Sequence, residues 1–322
     1  MDTEPILSVK ELKTYFFTKK GTVKAVDDIS FDLGKGELLC IVGESGSGKT
    51  VTALSILRLI ESPGKIIGGR VILNGKDLSG LSPQQMQDVR GNNIAMVFQD
   101  PHTSLNPVFT IGYQIKEAIT AHESCNEKEA FSRSIELLEL VGIPMAKERY
   151  HDYPHQFSGG MKQRVVIAMA LACHPEVLIA DEPTTALDLT VQAQILDLFL
   201  ELRNRFFMSI IYITHDLAVV SEIADSIAVM YAGRIVEKGS MEDIMANPLH
   251  PYTKGLIGCM PREHGEIIPI PGTIPNLTAL PEGCVFHPRC IHAMDICRKK
   301  RPSLNKIREA HLVSCFLHGE YS

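Results

Sequence analysis

The stretch Gly43-Glu44-Ser45-Gly46-Ser47-Gly48-Lys49-Thr50 follows the apolar run Leu38 to Val42 and precedes a helical pattern from Thr50 to Ile60. It fits G-x-x-x-x-G-K-[ST] and stands where that motif must, between a strand and a helix. Glycines at 43, 46 and 48 allow close backbone approach, so consecutive N–H groups, with Ser45 and Ser47 between the glycines, can converge on a β-phosphate. Lys49 adds a point charge between β- and γ-phosphates, and the Thr50 hydroxyl is placed to ligate Mg2+. Alone, the stretch marks a nucleoside triphosphate binder with an α/β core.

Two further stretches extend the chemistry. The run Val177-Leu178-Ile179-Ala180 ends in Asp181-Glu182. An Asp at the carboxyl end of a central strand can hold the Mg2+ shell, and a carboxylate one residue on can polarise a water for attack on the γ-phosphate. The competing reading makes Asp181-Glu182 an acidic start to the helix after Pro183, favoured by the helix dipole. Phe157-Ser158-Gly159-Gly160-Met161-Lys162-Gln163-Arg164 opens an apolar helix. A Ser at the N-cap followed by two glycines leaves helix-end amides open to an anion. This chain therefore carries two anion sites.

Phosphate loop, Ser-Gly-Gly helix and Asp-Glu-Pro, in this order, resemble the ATP-binding cassette (ABC) family. The resemblance implies ATP with Mg2+ as the nucleotide, and a pair of cassettes in which Ser158, Gly159 and Gly160 of one subunit close over the ATP of the other. It makes Glu182 the catalytic base. Gln99 corresponds to the Q-loop glutamine that senses Mg2+ and water, Asp188 in Thr185-Ala186-Leu187-Asp188 to the D-loop aspartate at the dimer interface, and His215 to the switch histidine at the γ-phosphate. The family signature usually reads Leu-Ser-Gly-Gly-Gln, whereas Met161 holds the fifth position here. An aromatic near the N-terminus stacks on adenine in this family; Tyr15, Phe16 and Phe17 are candidates, and Phe16 matches by position.

Length and composition bound the rest. At 322 residues the chain exceeds a typical single domain. The expected organisation is a cassette over 1–240, with an inserted helical subdomain at about 100–160, and an extension over 241–322. Alternation near Ile6 to Val9, Val23 to Leu33 and Val71 to Leu73 predicts an antiparallel β subdomain. Helical spacing covers Ile111 to Ala121, Lys128 to Leu140 and Val191 to Phe206, and Ala232-Gly233 reads as a hairpin turn. Net charge is −6, which gives no reason to expect nucleic acid. The N-terminus does not read as a signal peptide, and no apolar run reaches the roughly 18 to 20 residues of a membrane span, so a membrane role would come through partners.

Beyond Gly239 proline becomes frequent, predicting a loop-rich extension with Met241 to Ala246 as its one short helix. Cys284, Cys290, Cys297 and Cys315 gather there with spacing C-x5-C-x6-C-x17-C. A reducing compartment disfavours disulfides, which leaves a metal centre or no site at all; the spacing lacks the short knuckle of common zinc sites, and soft thiolates also hold Fe-S clusters. Asp100-Pro101-His102-Thr103-Ser104-Leu105-Asn106-Pro107, His250-Pro251-Tyr252-Thr253 and the Gly283-Cys284 to Arg289-Cys290 stretch are similar to the ATPase subunits of dipeptide and oligopeptide permeases. That similarity implies a [4Fe-4S] cluster on the four cysteines, with zinc as the alternative. It also implies a paralogous or identical partner ATPase, two transmembrane permease subunits and an extracytoplasmic peptide-binding protein, with the chain peripheral on the cytoplasmic face. A soluble cassette serving DNA repair or translation, or an importer of nickel or sugar, is the alternative.

Overall fold

In the computed structural model, residues 4–185, 187–260 and 269–318 are described; Ala186 of the expected D-loop lies outside them. The chain divides into two compact units, one of residues 1–33, 37–79 and 213–322 and one of residues 34–36 and 80–212. The first unit begins with β1 (Leu7–Thr18), β2 (Gly21–Leu33), β3 (Leu38–Val42), α1 (Lys49–Ile56), β4 (Gly64–Leu73) and β5 (Lys76–Asp77). Strands β2-β1-β4-β5 form an antiparallel sheet in that order. β2 alternates buried and exposed residues from Asp27 to Leu33, the pattern of a sheet with one face on a core. β1 runs well past the expected Ile6 to Val9. Its register shifts between Val9 and Leu12, where Glu11 takes a left-handed φ of 50°, so the period of two breaks midway.

α1 ends at Ile56, four residues before the expected Ile60. Arg58 is left-handed at φ 53°, and the Leu59 N–H returns to the Leu54 carbonyl at 2.8 Å, a Schellman-type closure that stops the helix.

The second unit contains α2 (Pro83–Val89), β6 (Ile94–Val97), α3 (Pro101–Ser104), α4 (Ile111–Thr120), α5 (Glu127–Leu140), α6 (Ala146–Arg149), α7 (Gly159–Ala170), β7 (Val177–Asp181), α8 (Leu189–Phe206) and β8 (Ser209–Thr214), at whose end the chain returns to the first unit. The strand order is β8-β7-β6, with β6 and β7 parallel. β7 and β8 are buried at every residue, as parallel-sheet strands covered on both faces must be. The helices start on side-chain caps: Ser82 with Gln85 in a capping box, Thr110 on α4 and Asn126 on α5. Buried Gln114 pins the loop before α4, accepting from the Asn106 N–H at 2.8 Å and donating to the Asn106 and Phe109 carbonyls.

The first unit resumes with α9 (Leu217–Ile223), β9 (Ser226–Tyr231), β10 (Arg234–Ser240), α10 (Met241–Ala246), α11 (Pro251–Gly258), α12 (Asp295–Lys299), β11 (Asn305–Lys306) and β12 (Leu312–Val313). Its second strand order is β11-β12-β10-β9-β3, with β3 and β9 parallel. Ala232 and Gly233, at φ 47° and 80°, make the expected turn between β9 and β10. The chain passes residue 240 without leaving this unit. Its tail is more regular than its prolines suggest. Pro251 stands at the first position of α11, where the missing N–H costs nothing, and His250 caps that helix. Arg301 reaches the buried Asp27 of β2 at 3.2 Å, where Arg234 and the Tyr15 hydroxyl also converge. Burial alone would raise the Asp27 carboxyl, but the Tyr15 hydroxyl, Arg234 and Arg301 together hold it below the usual carboxylate range.

Candidate functional site: a phosphate loop and its accessory motifs

The loop from Gly43 to Gly48 is shaped by what presses on it from behind. A β-carbon on Gly43 would lie 2.2 Å from the Met230 carbonyl oxygen, and one on Gly48, at φ 105°, would lie 2.3 Å from the Ala25 carbonyl oxygen. Only glycine fits these two places. The Gly233 N–H donates to the Ser47 carbonyl at 2.8 Å, tying the loop to the β9–β10 turn. Lys49 is buried, and its ammonium donates to the carbonyls of Gly43 (2.8 Å) and Glu44 (3.2 Å), so the loop wraps its own cation. Ser45, Gly46 and Thr50 are exposed. Among the described residues, Ser47 Oγ is buried without a hydrogen-bond partner. An orphaned hydroxyl beside glycines that no side chain can replace is a cradle that fits phosphate oxygens.

Of the aromatic candidates, Tyr15 is committed elsewhere: its hydroxyl donates to Asp27 Oδ1 at 2.5 Å. Burial and Asp27 push its pKa up to about 12. Phe16 is half-buried, opposite Val23 and Gly64 in β1, and Phe17 is exposed. His215 lies exposed just past β8, and Asp216 after it caps α9 through the Ala218 N–H at 2.9 Å.

In the second unit, Asp181 is buried at the last position of β7. Glu182 follows in the left-handed region at φ 45°, rare for a residue with a side chain. Its Oε2 accepts from Gln99 Nε2 at 3.1 Å and from the Thr185 hydroxyl at 3.0 Å. Gln99 and Glu182, read separately from the sequence, thus meet. Ser158 caps α7, its oxygen accepting from the Met161 N–H at 3.3 Å, with Gly159 and Gly160 in the first turn. Asp188 caps α8 by accepting from the Val191 N–H at 3.0 Å. The grip of Thr185 on Glu182 escaped the sequence reading, although its spacing of three residues was the available signal.

The four tail cysteines converge. Cys284, Cys290, Cys297 and Cys315 line one small cavity with His250, Phe286, His287 and His292. Burial pushes the Cys284 thiol up to about 11, and burial raises Cys290 and Cys315 as well. Among the described residues, no group of three or more His, Cys, Asp or Glu side chains is spaced to hold a metal ion. The thiols share a cavity without standing at ligating distances. Two residues of the tail stretches that carry the permease resemblance touch the phosphate loop, a contact the sequence does not announce: Arg289 pairs with Glu44 at 2.7 Å, and the Tyr252 oxygen accepts the Glu44 N–H at 2.9 Å.

Phosphate loop, Asp-Glu at a strand end and Ser-Gly-Gly helix define a P-loop ATPase of the cassette type. The sequence matches the ABC transporter family over residues 26–185 and the oligopeptide/dipeptide transporter C-terminal region over residues 236–297. The chain is 50% identical over 319 residues to the oligopeptide transport ATP-binding protein AppD of Bacillus subtilis, covering 98% of this chain and 97% of that protein. It is also 50% identical over 321 residues to the dipeptide transport ATP-binding protein DppD of the same organism, covering 98% and 96%. The structure resembles the ATP-binding cassette MJ0796, solved as a dimer in a post-hydrolysis state bound to ADP and Pi, with TM-score 0.66 and 25% identity over 73% of this chain and 98% of that one. It likewise resembles cbiO1 from Clostridium perfringens, part of the transporter complex cbiONQ, with TM-score 0.65 and 28% identity over 76% of this chain and 92% of that one. The chain belongs to the ABC transporter ATP-binding proteins and carries the oligopeptide/dipeptide C-terminal region.

One residue at the cysteine cavity titrates usefully. His250 is 1% exposed, and its Nδ1 accepts the Tyr252 N–H at 3.0 Å, which requires a neutral ring. Burial, with nearby His318, pushes its pKa down to about 3. A depressed folded value gives stability that is complete above the ordinary imidazole range and is lost as pH falls toward the folded value. Stability at pH 5 should therefore be lower than at pH 7 by up to about 2 kcal/mol from this group. Urea unfolding at the two pH values, compared with His250→Asn, which keeps an N-cap acceptor but does not titrate, should show the difference shrinking in the variant.

Proposed function

We propose that the chain is the ATP-hydrolysing, energy-coupling subunit of an importer of dipeptides or oligopeptides. It works as a pair of cassettes, with a paralogue or a second copy, on two transmembrane permease subunits at the cytoplasmic face of the membrane, served by an extracytoplasmic peptide-binding protein. Among the described residues no helix is long and apolar enough to cross a membrane, so the membrane passage falls to the permease partners. The observation that carries the ATPase reading is the grip on Glu182, a carboxylate fixed by Gln99 and Thr185 one residue beyond buried Asp181. Peptide as cargo rests on the relatives' transport of oligopeptides and dipeptides and on the shared C-terminal region.

In this reading the loop amides from Gly43 to Gly48 and Lys49 bind the β- and γ-phosphates, and Phe16 stacks on adenine. Thr50, Asp181 and Gln99 would hold Mg2+. Mg2+, when bound, neutralises charge on the phosphate oxygens. Glu182 orients a water in line with the γ-phosphate and takes its proton; His215 steadies the γ-phosphate. Ser158 with the amides of Gly159 and Gly160 supplies the partner's half of each site, and Asp188 lies at the pair's interface. Glu182→Gln keeps the shape of the side chain and removes the base. It should bind ATP as tightly as the wild type, accumulate a closed pair, and hydrolyse about 100-fold or more slowly; turnover near normal in a phosphate-release assay would reject Glu182 as the base.

The tail is proposed to hold a [4Fe-4S] cluster on Cys284, Cys290, Cys297 and Cys315, with zinc as the alternative. Four thiols on one cavity, in a segment with little regular structure to hold it, favour a metal clamp. Protein purified without oxygen should contain both iron and acid-labile sulfide; zinc without sulfide would decide for the alternative.

A further inference from the structure

We infer that the cysteine-bearing tail sets the affinity of the phosphate loop for nucleotide, acting on Glu44 through Arg289 and Tyr252. The inference rests on the ATPase reading above.

Glu44 occupies the first variable position of the loop, and each of its polar groups is engaged. Its carbonyl accepts from Lys49 Nζ at 3.2 Å, its N–H donates to the Tyr252 oxygen at 2.9 Å, and its carboxylate takes both terminal nitrogens of Arg289 at 2.7 and 3.1 Å. The Ser47 N–H also reaches that carbonyl, at 3.1 Å, and two of these four partners belong to the tail. Tyr252 is fully buried and the Arg289 side chain is 5% exposed, whereas the Glu44 side chain is 27% exposed. The tail side of the contact is therefore rigid, and the loop side follows it.

Arg289 is itself fixed. Its Nε donates to the Pro271 carbonyl at 2.8 Å, and its guanidinium lies 5.7 Å from the Tyr231 ring centre and 6.0 Å from that of Phe286. The hydrogen-bonded Glu44 carboxylate, with the Tyr231 hydroxyl, raises the Arg289 pKa still further, so it stays a cation. A planar, stacked, two-pronged cation is what Lys cannot imitate. Arg289 also directly precedes Cys290, and the Cys284 N–H donates to the Cys297 carbonyl at 2.8 Å, so the packing of the cysteine segment decides where the guanidinium stands.

Two physical effects follow. The fork and the Tyr252 oxygen hold the loop backbone open for phosphate before any ligand arrives, which lowers the ordering cost of binding. The guanidinium also cancels a carboxylate that would otherwise repel a polyphosphate beside the loop amides. Arg289 is a positioning residue, not a catalytic one, so its loss should change binding of ATP and leave the chemical step alone.

The test is a double-mutant cycle on the full chain, read by titration with a fluorescent ATP analogue in Mg2+ and by KM and kcat for ATP in the reconstituted transporter. Arg289→Ala should weaken binding and raise KM about tenfold with kcat within about twofold, the size of one lost charge-assisted contact. Arg289→Lys should recover part of the loss. In a Glu44→Gln background, where no charge is unmasked, the same Arg289→Ala change should cost less than about twofold. Tyr252→Phe, which deletes only the acceptor for the Glu44 N–H, carries the test should Arg289→Ala fail to fold; about a threefold rise in KM is expected from one lost hydrogen bond. Unchanged affinity in Arg289→Lys and Tyr252→Phe, or an equal loss with and without Glu44, would overturn the inference. A wild-type chain that binds no ATP would instead overturn the ATPase reading beneath it.

Discussion

A phosphate loop works only if its backbone is bare on the ligand side and braced on the other, and here the brace is two carbonyl oxygens. Ala25 in β2 and Met230 in β9 stand so close behind Gly48 and Gly43 that no side chain fits between. The Gly233 N–H completes the brace through the Ser47 carbonyl. Much of the first unit can be understood as the means of delivering those three groups. β2 is held in register by its long antiparallel pairing with β1, β9 by its parallel pairing with β3, and Gly233 by the tight turn that β9 and β10 require. The same logic explains why Lys49 can be buried. A lone buried ammonium would be costly, but two loop carbonyls solvate it where water cannot.

The parts of the site that were legible in the sequence are those whose geometry is local. A glycine pattern between a strand and a helix dictates converging amides, and a Ser before Gly-Gly dictates a cap, so Gly43 to Thr50 and Ser158 to Gly160 were readable from a few residues each. Long-range contacts left no such trace. The pairing of Glu44 with Arg289 spans 245 positions, and nothing in either neighbourhood announces the other. β1 was half visible because its first four residues alternate, while the left-handed Glu11 breaks the alternation before Tyr15 to Phe17. In the tail, prolines were read as breakers, but Pro251 begins a helix, a position where proline's fixed φ helps.

Asp27 shows how the tail is joined to the strands. Its carboxylate gathers Tyr15 from β1, Arg234 from β10 and Arg301 from the tail at a buried point. One buried carboxylate without cations would be prohibitive, and one with two guanidiniums and a phenol is satisfied. Removing any single donor takes one partner from a buried carboxylate that the other two must then satisfy. Such a node favours one arrangement of the three segments, because alternative packings strand a buried ion. The Glu237 carboxylate repeats the device at β10, accepting the N–H groups of Leu249 and His250 while His311 bonds it at 2.7 Å. The proline-rich tail, short on regular structure, is thus pinned by ion pairs at Asp27 and by hydrogen bonds at Glu237.

Glu182 is gripped by different groups. Its contacts with Gln99 and Thr185 are hydrogen bonds from neutral groups, an amide and a hydroxyl, and both fall on the same oxygen. Such donors orient a carboxylate oxygen through their dipoles. The left-handed backbone at Glu182 is the kind of sparsely populated conformation that persists only when its surroundings dictate it. One of those surroundings is Gln99, just beyond the end of β6 and immediately before Asp100 and α3. A shift of the segment that follows Gln99 would therefore be felt at Glu182 Oε2 directly, through one 3.1 Å hydrogen bond. Within the second unit, then, the segment leading into the helices and the carboxylate just past β7 are joined by that one bond.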